Sequence, residues 1–266
     1  MIQELYVYPI KSCRGIRVQN VKVLKNGFEF DRNWMIVDSN NTFITQRKIP
    51  KMALLSVEIL SHKLKISYPN CDAIEVDLNV ESEVIDCTVW KDTVKCFRYN
   101  NVVQNWLSQC LGVECSLVKL AHPKARIHTS AVREMPYEVT FADSAPILIV
   151  NRASFTTFTK AELKKEEILR FRPNIIVETE TAFEEFKWKY FNSGSVVLES
   201  NGPCARCTLI DVDQNSGEKN LNFLRELSEF LRSKTTLKTI DFGIKFIPAS
   251  VGELSVGDDF KLQRHD

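Results

Sequence analysis

Two cysteines stand three residues apart in NGPCARCTLIDVD, Cys204 and Cys207, after a Gly-Pro and ahead of an alternating run. That spacing suits half of a zinc site, a redox dithiol, or a thiolate ligand for a softer metal. Structural zinc takes four ligands. The chain has no second C-x-x-C, and its 4 histidines, His62, His122, His128 and His265, are scattered. A thioredoxin-type dithiol opens a helix within a βαβ pattern, whereas TLIDVD reads as a strand and the proline precedes the pair. A soft transition metal needs only one protein thiolate if a cofactor supplies its other ligands, and Arg206 beside Cys207 would favour that thiolate. A turn holding two buried thiols remains open as the bland alternative.

Cations in unusual company bear on the choice. YPIKSCRG places Lys11, Ser12 and Arg14 at a strand end, and FDRNWMIV sets Arg32 among aromatic and apolar neighbours. ITQRKIPKM adds Arg47 and Lys48, and FRPN puts Arg172 against a proline before an apolar run. Each alone reads as a solvated surface charge. Together they suit a phosphate, for which guanidinium offers a two-pronged fork and Lys, Ser and backbone N–H groups add donors. The 9 glycines are dispersed, with neither a Walker loop nor a dinucleotide fingerprint. What remains is an anionic cofactor gripped by side chains.

These residues need a folded frame, and the composition supplies one. The chain has 266 residues, 44% hydrophobic and 26% charged, enough for one large domain or two ordinary ones with a real core. A net charge of +1 gives no bulk reason to expect a nucleic-acid polymer as partner. MIQELYVYPIKSC lacks the basic and apolar regions of a secretory signal, and no apolar run nears the roughly 18–20 residues of a membrane span, so no span is expected. The expected location is cytoplasmic, with most of the 8 cysteines serving as small core hydrophobes; Cys110 and Cys115 could pair, on spacing alone.

The first part reads as β-rich: QELYVYPIKS, GIRVQNVKVL and LLSVEILSHKLKISYPNCDAIEVDL alternate, and FDRNWMIVDSNNTFITQRK reads as two strands around a turn. NNVVQNWLSQCLGV changes period and predicts a helix stopped at Gly112. The polar stretch KLAHPKARIHTSAVREMPYE is expected to be a domain boundary or long loop, dividing the chain into 1–120 and 121–266. Beyond it come a strand entering a helix over Ala153 to Leu169, strands in FRPNIIVE, SGSVVLES and CTLIDVD, and an amphipathic helix with Leu221, Leu224, Leu227 and Leu231 on one side. The expected class is α+β, with barrel-like β cores and a few packed helices.

LYVYPIKSCRGI, FDRNWMIVD with TFITQRKIPKM, FADSAPILIVNRASF, FRPNIIVE and GPCARCTLIDVDQNSGEKN, in that order, resemble the MOSC-domain family. Its N-terminal β-barrel and MOSC domains occur in the mitochondrial amidoxime reducing component, its bacterial relatives and the C-terminal part of molybdenum cofactor sulfurase. The resemblance implies that Cys207 binds molybdenum. It further implies that Lys11, Ser12, Arg32, Asp143, Ser144, Arg172, Asn174 and Arg206, with Arg47 a weaker candidate, hold a molybdopterin, Asp143 doubling as the acid near the metal. The activity it implies is two-electron reduction of small N-hydroxylated compounds. Electrons would come from a separate donor protein, cytochrome b5 with its reductase or ferredoxin-like. The rival reading is a cofactor-binding or sulfur-transfer module like the sulfurase's C-terminal part; its pyridoxal-phosphate half would not fit in 266 residues. A pyridoxal-phosphate protein has little support, since nothing marks a desolvated Schiff-base lysine.

Overall fold

The computed structural model describes all residues except 81, 123–125, 131, 133, 160–164, 221, 233–238 and 266. Its largest unit is an eight-stranded sheet ordered Ile16–Val18, Ile2–Val7, Ile175–Val177, Ile147–Asn151, Asp241–Pro248, Val196–Ala205, Trp188–Ser193 and Lys261–Arg264. Both faces are covered, which explains why ILIVN is a continuous apolar run rather than an alternating one. Ile147 and Ile149 pack with Leu5, Ile175 and Phe246 on one side. Leu148 and Val150 pack with Phe171, Phe223 and Phe242 on the other. Fully burying one such side chain contributes about 1.5–3 kcal/mol, so the two layers fix the sheet firmly.

A second β unit carries its own core. Strands Trp34–Val37, Ser116–Leu120, Asp92–Arg98 and Val84–Val89 form one sheet, and Ser56–Ile59, Lys63–Tyr68 and Cys71–Asp77 another. Between them lie Trp34, Ile36, Met52, Leu64, Ile66 and Leu117, closed by the helix Asn101–Leu111. That helix has the predicted bounds for local reasons. The Asn100 side chain accepts from the Val102 and Val103 N–H groups, and Gly112 ends it at φ 70°. The architecture is α+β and strand-rich, as the sequence implies. The first strands are nonetheless built into sheets with the end of the chain: Ile2–Val7 pairs with Ile175–Val177, and Asn20–Leu24 with Gly252–Ser255.

Four local expectations need correction. TLIDVD is a short 3-10 turn, Thr208–Asp211, not a strand. Its alternation is met by tight bonds from Ile210 N–H to Cys207 O and Val212 N–H to Leu209 O, and buried Asp211 accepts from Leu224 N–H of the next helix. The second strand expected in TFITQRK is only bridges, Val37 with Phe43 and Thr42 with Thr88, because the chain turns at Thr45 ahead of Pro50. Part of the supposed boundary loop pairs as the strands Arg126–Thr129 and Pro136–Val139. The helix after Asn151 runs Arg152–Thr159; residues 160–164 of the expected span lie outside the described residues, and Lys165–Phe171 is 3-10. The amphipathic helix is Phe223–Arg232 with Phe223, Leu227 and Leu231 buried; Leu221 also lies outside the described residues.

Candidate functional site

A cleft opens on the Leu148–Phe242 face of the large sheet, and loops entering or leaving its strands supply the walls. Leu148 and Lys245, paired across neighbouring strands, line the cleft from the sheet itself. Around them stand Lys11, Ser12, Arg32, Asp143, Ser144, Arg172, Asn174, Arg206 and Cys207. Of the residues expected from sequence, Arg14 lies elsewhere, its Nη2 donating to Gln214 O at 2.6 Å, and Lys48 is an exposed cation outside the cleft. Arg47 reaches the cleft mouth and points Nη1 at Cys207 Sγ, 3.8 Å away; the others line it.

The backbone is bent at the positions that deliver these side chains. Ser12, Arg32 and Arg172 have φ of 63°, 51° and 57°, a region costly for residues other than glycine. Backbone bonds at or beside each fix them: Lys11 N–H donates to Trp34 O, Arg32 N–H to Tyr8 O, and Arg172 N–H to Leu169 O, at 2.8, 2.8 and 3.0 Å. Asn174 and Asp31 hold the frame together. Asn174 Nδ2 donates to Tyr6 O and Asp31 Oδ1, and its Oδ1 accepts from Arg32 Nη1 and Leu148 N–H. Asn174 thus lines the cleft with both ends of its amide already engaged.

The charge pattern is lopsided. Lys11, Arg32, Arg47, Arg172, Arg206 and Lys245 face Asp31 and Asp143, although the whole chain is near neutral. Tyr8 lies between two of them, with the Arg32 and Arg172 guanidinium groups 4.7 and 4.3 Å from its ring centre. Burial pushes its phenol up, leaving it neutral, and pushes the Arg172 guanidinium down to about 10. Lys11 Nζ donates to Phe141 O at 2.7 Å and pairs with Asp143. Burial lowers the Lys11 ammonium against the pull of Asp143, and the same pairing, with the Trp90 indole and Arg47, outweighs desolvation and holds the Asp143 carboxyl well below the usual range. Asp143 is therefore a carboxylate, and the proton of the pair sits on Lys11.

Among the 8 cysteines Cys207 alone is exposed. Arg206 does not serve it: its Nη1 contacts Cys204 Sγ at 2.9 Å and its Nη2 donates to Phe171 O at 2.7 Å. The cation beside Cys207 is Arg47, which corrects the expectation for Arg206. Nor do Cys110 and Cys115 pair; Cys110 has Cys71 as its thiol neighbour, and all are free. Sequence reasoning also missed Lys245, Tyr8 and Asp31. Lys245 had a signal, a lone charge inside the apolar run DFGIKFIP, the same signal that marked Arg32.

An anionic cofactor can be tested against atoms left without partners. Arg172 Nη2 and Arg206 Nε, on side chains that line the cleft, are buried with no hydrogen-bond partner in the protein. Leaving such a group unpaired costs about 1–3 kcal/mol, and a phosphate or pterin would relieve it. The enclosed part of the cleft is about 180 Å³, less than the ~300–1,000 Å³ of pockets that engulf a ligand, so a pterin-sized group would lie in an open groove. The donor set fits.

The MOSC N-terminal beta barrel domain matches residues 1–114 and the MOSC domain residues 136–261. The chain belongs to the MOSC-domain family. It is 29% identical to molybdenum cofactor sulfurase from Homo sapiens over 94% of its own length, and 30% identical to that from Drosophila mojavensis over 87%. It spans 30% of the length of either relative. Among solved structures, the YUAD protein from Bacillus subtilis aligns over 100% of this chain and 96% of its own, with 12% identity and a TM-score of 0.44.

Proposed function

We propose that this protein binds a molybdenum cofactor and reduces N–O bonds of small N-hydroxylated compounds. The observation that carries the reading is Cys207, the exposed thiol, set at the mouth of a cationic cleft that holds unpaired guanidinium donors. When bound, the cofactor would supply a soft, redox-active metal able to accept oxygen from the substrate. The chain would supply the rest. Cys207 would ligate the metal, with the Arg47 guanidinium 3.8 Å from its Sγ. Arg172, Arg206, Arg32, Lys11, Ser12, Ser144 and Lys245 would hold the pterin and phosphate, with Asn174 bracing Arg32. Lys11 carries the proton nearest the Asp143 carboxylate, and that pair is the candidate proton source for the departing oxygen.

The chain would take electrons from a separate cytochrome b5-like or ferredoxin-like protein. The free cysteines fit a reducing, cytoplasmic setting. Among the described residues no helix is long and apolar enough to cross a membrane.

The sulfurase relatives favour a second reading, a cofactor-binding or sulfur-transfer module. Against it, the partly exposed Cys204 thiol is engaged by Arg206 Nη1 at 2.9 Å, which leaves Cys207 as the exposed thiol of the pair. The test is molybdenum and pterin analysis of protein made in a molybdopterin-producing host, with Cys207→Ala and Cys204→Ala alongside. Near-stoichiometric molybdenum, and amidoxime reduction lost in Cys207→Ala but kept in Cys204→Ala, is the expected result. Bound cofactor without N–O reduction would move the assignment to the module.

A further inference from the structure

At the cleft mouth the N-terminal half contributes aromatic surface that none of the groups holding the cofactor requires. Trp90 is a large side chain left 44% exposed. It occupies the two-residue turn between Val89 and Asp92, which pair across the hairpin. Its φ is 56°, a conformation that such turns normally assign to Asn or Gly. Turn stability therefore does not account for a tryptophan there.

Its contacts point toward the reacting centre. Nε1 donates to Asp143 Oδ1 at 2.9 Å, the Arg47 guanidinium lies 4.7 Å from the ring, and Arg47 in turn reaches Cys207. Phe43 packs against the indole at 5.0 Å between centroids, and the Lys11 ammonium lies 5.4 Å from the Phe43 ring. The indole thus stands one guanidinium away from the exposed thiol and is itself exposed.

We propose that Trp90, backed by Phe43 and Arg47, is the platform on which substrate stacks, and that it selects planar, π-conjugated compounds over aliphatic ones of the same head group. This rests on the reductase reading for the identity of the head group, but not for the stacking itself. Offset stacking on an indole is worth about five- to tenfold in affinity over a non-aromatic neighbour. The open groove leaves the plane of a ring at the rim as the handle by which a small substrate can be held while its polar head enters.

The test compares benzamidoxime with acetamidoxime, both neutral, by isothermal titration calorimetry on the purified, cofactor-loaded protein without electron donor. Trp90→Gly suits the backbone at φ 56°, so it should melt no lower than wild type while binding benzamidoxime about five- to tenfold more weakly. Acetamidoxime binding should be unchanged, and Trp90→Phe, which keeps a ring, should retain most of the aryl preference. With a chemical donor, Trp90→Phe and Trp90→Gly share the lost bond to Asp143, so the further loss in Trp90→Gly relative to Trp90→Phe should fall on KM for the aryl substrate. Unchanged aryl preference in a folded Trp90→Gly would overturn the platform while leaving the reductase intact. Aryl binding through Trp90 without any N–O reduction would uphold the platform and count against the reductase.

Discussion

At the scale of single residues, the cleft is held in a state whose cost is visible. Tyr8 is pinned between two guanidinium groups, its hydroxyl buried without a partner. Because burial keeps the phenol neutral, Tyr8→Phe removes an unsatisfied group without changing charge. It should stabilise the cofactor-free protein by about 1 kcal/mol, read as a higher urea midpoint with an unchanged slope. A lower midpoint would mean that the hydroxyl has a partner in solution and is not an orphan. Much of the site was legible at this scale, because a charge inside or against an apolar run announces a built pocket: Arg32, Arg172 and Lys245 all carry that mark. Trp90 and Phe43 carried no such mark. An aromatic residue in a strand-rich stretch is what any β core contains, and only the hairpin turn sets this one in solvent.

At the scale of elements, period and capping predicted most strands and the helix Asn101–Leu111, while the errors came where side chains bond locally. TLIDVD has a strand's alternation, yet Asp211 spends its carboxylate on the next helix and the chain coils instead. A comparable local commitment governs Glu185, inside the short 3-10 turn Glu184–Lys187. It is buried, bonded to Ser154 Oγ and Asn151 Nδ2 through one oxygen, with the other unpartnered. Burial outweighs those bonds and raises its carboxyl from 4.5 to about 7. The folded state therefore holds a proton that the unfolded state releases at lower pH. Stability from this group is complete below pH 4.5 and is lost as pH rises to about 7, beyond which it is flat. The shift corresponds to roughly 3 kcal/mol. Glu185→Gln should flatten that part of the profile of unfolding free energy against pH. If the slope between acid and neutral pH survives the substitution, another group is responsible.

At the scale of the whole molecule, the order of segments along the chain is not their order in space. Ile2–Val7 covers the edge of Ile175–Val177 and places Leu5 in one core layer and Tyr6 in the other. Asn20–Leu24 pairs with Gly252–Ser255, and Val21 and Val23 join the same core as Ile244 and Phe246. A fragment of residues 136–261, the span of the MOSC match, therefore leaves a hydrogen-bonding edge and apolar surface on both faces uncovered. It would also lack Lys11, Ser12, Arg32 and Arg47, and with them much of the cationic wall. Made alone, this fragment is expected to aggregate or remain loosely folded, shown by dye binding to exposed apolar surface and poor amide-exchange protection. Supplying residues 1–135 in trans should restore protection along Ile175–Val177 and Ile147–Asn151, and molybdenum retention with it. A fragment that folds alone and keeps molybdenum would show that the cleft is complete within the last part of the chain, and that the first strands only cover it.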